Sequence, residues 1–220
     1  MFPLADVIPS RRTPVVTIGV IAINAIAFLY EIMLDDAELR QFVTAYGVVP
    51  ASFSWLSVVT SMFLHGGWLH FLGNMLYLWI FGDNVEDRFG RPTYLLFYLF
   101  CGAAAALGQT FTQPYSDVPM IGASGAIAGV MGAYFVLYPH SRVLTAVLIV
   151  FFVDLVEIPA IFFLGIWFLM QLFSGLGSLG AGQATGGVAF WAHAVGFAVG
   201  AGAGSLWRAL EGRRTPEWER

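Results

Sequence analysis

Residues 120–139 read MIGASGAIAGVMGAYFVLYP, an apolar run that opens with one serine between glycines and closes on a proline. Proline ends the helix because it lacks an N–H and clashes with the preceding turn. From Ser124 to Pro139 the helix advances about 15 steps, or roughly 23 Å at the helical rise. A bilayer core is ~30 Å thick. If Pro139 and His140 sit at the cytoplasmic interface, Ser124 lies below the outer surface. A helix start at that depth is tolerated only where it faces a water-filled cavity inside the protein.

Composition places this run in a membrane. Apolar residues make up 58% of the chain and charged residues 11%, against roughly 45–50% and 25% in globular domains. The mean hydropathy is +0.76. A soluble chain of 220 residues could not hide so much apolar surface, so the sequence reads as a polytopic membrane protein of one domain. No basic cluster interleaved with aromatics is present, which argues against nucleic acid as a partner. The single cysteine, Cys101, excludes an intrachain disulfide framework. Arg11 and Arg12 precede an apolar run as in a signal peptide, but the run is long enough to span and no cleavage motif follows.

Six spans are expected, at 14–34, 67–85, 93–111, 123–139, 159–175 and 190–208, in an all-α bundle. Residues 35–66 read as an ordered interfacial loop, and the glycine-rich stretch 174–187 as a flexible connection. The segment 143–160, VLTAVLIVFFVDLVEIPA, has an uninterrupted apolar part too short to cross before Asp154, Glu157 and Pro159 close it off. Charge placement decides its fate. All ten basic residues are arginine. With six spans and an internal N-terminus, only Arg40 lies outside, as the positive-inside rule requires. A seventh span would send Arg208, Arg213, Arg214 and Arg220 outward, so both termini are expected in the cytosol.

Gly125, Gly129, Gly132 and Ala133 recur at helical spacing, and Ala192, Gly196, Gly200 and Gly204 form a four-residue ladder. Such faces let membrane helices approach closely. Each carries a polar passenger: Ser124 heads one and His193 stands near the start of the other. Both helices begin on the outer side, so the two side chains are expected at similar depth. His70 and Asn74 share a helix face at i, i+4, with His65 just ahead. Ionisable groups inside a membrane are functional by default. Serine becomes a nucleophile when a histidine can take its proton, and donors aimed at the developing oxyanion complete the chemistry. His70, Asn74 and the Ser124 backbone N–H are such donors, while Gly122 and Gly125 leave room for a substrate backbone. GASGA is not a G-x-S-x-G elbow. Asp117 falls in the outer loop between the third and fourth spans, and Asp154 and Glu157 on the other side, so no carboxylate completes a triad and a Ser–His dyad is expected, its histidine oriented by packing. No metal or other cofactor is expected, because the histidines lack an H-E-x-x-H pattern or carboxylate partners. A transporter is disfavoured because no inverted repeat is visible.

With HGGWLHFLGN at 65–74, GDNVEDRFG at 82–90, GASG at 122–125 and AHAVGFAVG at 192–200, the chain resembles the rhomboid family of intramembrane serine proteases. The resemblance implies Ser124 as nucleophile, His193 as general base, and His70 and Asn74 as oxyanion donors. It implies that His65 anchors the neighbouring loop and that Glu86 ties down the turn beside the cytoplasmic end of the second span. Gly122, Gly125, Gly196 and Gly200 would be structural supports. Transmembrane proteins with helix-destabilising small residues are the implied substrates, in the lipid bilayer of a prokaryotic inner membrane. Two features depart from the pattern. Ala128 stands where some members carry an aromatic beneath the histidine, and FSWLS replaces a Trp-Arg pair in the first outer loop. A rhomboid-like pseudoprotease is the rival reading, but such proteins typically lack the serine or the histidine, and this chain has both.

Overall fold

The computed structural model describes residues 2–149, 152–180 and 189–214. Its chain order is β1 (Phe2–Asp6), α1 (Val15–Glu31), α2 (Asp36–Tyr46), α3 (Trp55–Thr60), α4 (Trp68–Phe89), α5 (Arg91–Thr112), α6 (Ser124–Leu137), β2 (Arg142–Ile149), β3 (Phe152–Pro159), α7 (Ala160–Gly180) and α8 (Phe190–Arg214). Single 3-10 turns sit at Pro50–Ser52 and Ser61–Phe63.

The helix α6 is the axis of the bundle. Every residue from Gly125 to Tyr134 is buried, so the helix has no solvent face to bury selectively and no polar stripe. Its 14 residues give roughly 21 Å. Packed against it, α8 runs parallel: a side-chain carbon added at Gly196, Gly200 or Gly132 would overlap the carbonyl oxygens of Gly125, Gly129 and Phe197 respectively. Small residues are thus a geometric condition of the contact, as both ladders suggest. On another side α5 runs antiparallel, with Gly129 against Cys101 and Gly125 against Ala105.

The pairings fix the other directions. Phe81 of α4 meets Tyr134, while Phe28 of α1 stacks on Phe71 and Thr17 reaches Glu86, so α1 opposes α4. Gly90, at φ +76°, turns the chain between α4 and α5, a conformation that favours glycine. Helix α7 lies outermost, with Phe163 and Leu164 buried but Phe162, Met170 and Phe173 exposed. Among the described residues, only α5 and Ala160–Ser178 of α7 are, by length and composition, apolar enough to cross a membrane; α1 and α6 are apolar but shorter.

The all-α expectation needs one correction. Strands β2 and β3 pair antiparallel as the arms of a hairpin, and β1 adds antiparallel to β2 to make a three-stranded sheet in the order β1-β2-β3. Arg142 faces Pro159 and Ile149 faces Phe152 across the hairpin, while Asp6 faces Val143. Length kept 143–160 from being a span, and β-branched residues every second or third position favour the strand instead. Asp6 ties this sheet to the bundle by accepting from the Tyr134 hydroxyl (2.6 Å) and the Asn84 amide (3.0 Å). Of the glycine-rich stretch 174–187, α7 continues through Gly180; the rest of that expected connection, to 187, lies outside the described residues.

Candidate active site

Ser124 is the first residue of α6, and its place is set by the chain before it. Met120 and Val48 exchange backbone hydrogen bonds of 3.0 and 2.8 Å, and the Gly122 N–H donates to the Ser61 carbonyl at 2.8 Å. Gly122 takes φ +126°, and a Cβ there would stand 2.7 Å from His70 Nε2 and 3.6 Å from Ser124 Oγ. The backbone therefore passes between the two side chains only because that residue is glycine. No side chain caps the start of α6, so its first N–H groups, Ser124's among them, remain available at the positive end of the helix dipole.

His193 comes from the first turn of α8. The buried Gln109 of α5 holds that turn by accepting from the Ala192 N–H (3.2 Å) and donating to Gln113 Oε1 (3.1 Å). His193 Nε2 lies 2.7 Å from Ser124 Oγ, and its Nδ1 lies 2.9 Å from Gln171 Oε1 of α7. An amide oxygen only accepts, so Nδ1 carries the proton and Nε2 presents a lone pair to the serine hydroxyl. This is the tautomer a general base requires. Trp167, one turn before Gln171, covers the ring with centroids 5.8 Å apart. Where Ala128 departs from the family pattern, Trp167 of α7 supplies the aromatic beside the ring.

His70 shows the complementary arrangement. Its Nδ1 accepts from the Gly66 N–H at 3.3 Å, which leaves the neutral ring's proton on Nε2, the nitrogen beside Gly122. Asn74 follows one turn later on α4, buried, with its amide nitrogen unpartnered among the described residues. Unsatisfied buried donors are rare and costly away from functional sites. An N–H on His70, an N–H on Asn74 and the α6 terminus together offer what an oxyanion needs.

His65 lies just before α4, buried edge-on to Phe28 and Phe71 with His70 at 5.1 Å. Burial, and secondarily the charge of His70, pushes its ring down to about 4, so it is neutral at physiological pH. Its ring nitrogens have no partner among the described residues. The anchoring is done by its backbone N–H, which donates to the buried carboxylate of Glu31 at 3.0 Å.

Glu86 stands at the opposite end of the bundle. It is 3% exposed and accepts from the Val16 N–H (3.0 Å), the Thr17 N–H (2.8 Å) and the Thr17 hydroxyl (2.8 Å). It therefore caps the start of α1 across the bundle, where the sequence suggested a tie to the adjoining turn. Gly125, Gly196 and Gly200 are packing positions between α6 and α8. Two surface cavities, of about 360 and 330 Å³, also lie at this end, one beside Glu86 and the other beside Tyr138, away from Ser124.

Sequence reasoning missed Gln171, Gln109 and Glu31. The signal for Gln171 was available: a lone amide four residues after a tryptophan in an otherwise apolar helix is an expense that calls for a partner.

Comparison with known proteins identifies the family. A family model described as the Rhomboid domain matches residues 52–209. The protein YdcA of Bacillus subtilis is 32% identical over 126 residues, 56% of this chain and 62% of that protein. Rhomboid-like protein 11, chloroplastic, of Arabidopsis thaliana is 40% identical over 76 residues, 34% of this chain and 27% of its own. Rhomboid protease GluP of Bacillus subtilis is 39% identical over 79 residues, 36% of this chain and 15% of its own. The chain thus spans less than two thirds of each relative's length.

Proposed function

Because the chain belongs to the rhomboid family, we propose that it is an intramembrane serine endopeptidase that cleaves transmembrane segments of other membrane proteins with a Ser124–His193 dyad. The observation that carries the reading is the 2.7 Å hydrogen bond from Ser124 Oγ to His193 Nε2. Ser124 Oγ attacks the scissile carbonyl carbon as its proton passes to Nε2. The carbonyl oxygen becomes an oxyanion, received by His70 Nε2–H, the Asn74 amide and the Ser124 N–H. Collapse breaks the C–N bond, and the imidazolium returns the proton to the leaving amine. Water then attacks the acyl ester with His193 again as base, and Ser124 is released. The dyad needs no metal or other cofactor.

A substrate helix hides its carbonyls in its own hydrogen bonds, so segments with small, helix-weakening residues near the cleavage site are the substrates of choice. The alternating directions of α1, α4, α5, α6, α7 and α8 support six crossings with both termini in the cytosol. The location that suits this topology and arginine distribution is the inner membrane of a prokaryotic cell.

The test is reaction of the detergent-purified protein with a fluorophosphonate probe, comparing wild type, Ser124→Ala and His193→Ala. Labelling of wild type that disappears in both variants supports the dyad. A folded wild type that stays unlabelled, in a detergent where an active rhomboid protease reacts, refutes it.

A further inference from the structure

The dyad leaves one question: what keeps His193 in the base tautomer without a carboxylate? We propose that Gln171 is its positioning residue, a neutral third member of the centre; this rests on the protease reading above. Two observations on α7 converge on the ring. Gln171 Oε1 accepts from Nδ1–H at 2.9 Å, and Trp167 lies against the ring face at an interplanar angle of 38°. At i and i+4 both side chains project from one helix face. The amide fixes rotation within the ring plane and the indole limits tilt out of it. Phe168 stacks on Phe197 of α8 at 4.7 Å, which holds the two helices in this register.

The chemistry follows from the acceptor. In the resting state Nδ1–H donates to Gln171, so the Nε2 lone pair has no alternative but to face Ser124. When Nε2 takes the serine proton, Nδ1–H stays on its nitrogen and the same hydrogen bond now serves an imidazolium. An amide dipole answers that charge less than a carboxylate would, so the centre is electrically neutral at rest. The other titratable group close to His193 is His70 of α4; among the described residues no acid takes part in a hydrogen bond to the ring.

The test measures fluorophosphonate labelling rate against pH for wild type, Gln171→Leu and Gln171→Glu in one detergent, with melting temperatures recorded alongside. Leucine keeps the bulk and removes the acceptor. Its labelling is expected to fall about tenfold or more, the worth of one hydrogen bond to the reacting group, in a sample that still unfolds cooperatively with a melting temperature lower by about 2–10 °C. Glutamate offers only acceptors, so it is expected to retain labelling while the acidic limb of the profile moves to higher pH, because a carboxylate favours the protonated ring. A purely structural role would move neither the limb nor the rescue. Leucine labelling at the wild-type rate overturns the proposal, and so does glutamate labelling as poorly as leucine; both leave the dyad standing. An unreactive wild type removes the protease reading and this proposal together.

Discussion

Gly122→Ala is the perturbation that most directly interrogates the oxyanion donors. The new Cβ would sit 2.7 Å from His70 Nε2 and 2.8 Å from its Cε1. Ordinary contact begins near 3.4 Å, so the ring must retreat by about 0.7 Å or rotate. Its retreat is opposed from behind, where Nδ1 is held by the Gly66 N–H and the ring lies against His65. The donor therefore leaves the position from which it can meet an oxyanion. Loss of one such donor costs about 10²–10³ in rate, and a fluorophosphonate adduct develops charge on oxygen in the same place. Labelling is expected to drop about 100-fold.

Backbone strain is the competing effect. At φ +126° a non-glycine residue costs about 1–3 kcal/mol, which by itself would lower the melting temperature without touching the donor. Gly67 supplies the control. It also has a positive φ, +144°, yet a Cβ there meets nothing within 4 Å. Gly67→Ala should therefore lose stability while a folded sample labels near the wild-type rate. Gly122→Ala labelling within about threefold of wild type would sink the assignment of His70 as the donor.

Two further predictions concern the far end of the bundle. Glu86→Ala strands the buried Thr17 N–H and hydroxyl and the half-buried Val16 N–H, and each buried unsatisfied group costs about 1–3 kcal/mol; the melting temperature should fall by about 10 °C, and an unchanged value would show that Glu86 does not cap α1. Asp6 has its carboxyl pushed up to about 6, chiefly by burial, with the Tyr134 hydrogen bond opposing the shift and the charge of Asp83 adding to it. A raised folded-state value means the native protein keeps a proton that the unfolded chain has released. That contribution is fully present below the ordinary carboxylate range and is lost as pH rises through about 6. The wild-type melting temperature should decline from pH 4 to pH 7, and Asp6→Asn should flatten the decline; parallel curves would refute the assignment.

How much of this was legible in the sequence depends on whether a residue's cause was local. The start of α6 at Ser124 and the meeting of α6 with α8 follow from glycine spacing, since a missing Cβ is a one-residue property with a direct consequence for approach. His70 and Asn74 were readable because i, i+4 defines a face without knowledge of its neighbours. The hairpin was not. Its apolar run fits a buried strand or a short helix equally well by hydrophobicity, and pairing with β1 is a contact between residues 2–6 and 143–146, far beyond any local window. Gln171 was visible as a lone amide, but which group it serves was hidden for the same reason. Its partner lies on another helix, and among PAIFFLGIWFLMQLF one amide looks like a tolerated exception.

The small-residue ladders and the chemistry are one arrangement. Serine has the shortest hydroxyl-bearing side chain, so its oxygen travels hardly beyond its own helix surface. Histidine must come to it, which requires backbones closer than the usual 8–10 Å between helix axes. Gly125, Gly129 and Gly132 on α6, with Gly196 and Gly200 on α8, remove the side chains that would prevent it. The same glycines fix the depth at which the two helices lock, since carbonyl oxygens of one helix fill the places where Cβ atoms of the other would stand. A dyad held by backbone contact needs less support from charged side chains than one assembled on loops. On the proposed reading, an amide and an indole, both neutral, are then enough at His193. Glu86 at α1 and Asp6 at the sheet make their bonds at the opposite end, and the buried acid at the His65 end, Glu31, bonds a backbone N–H and not the His193 ring.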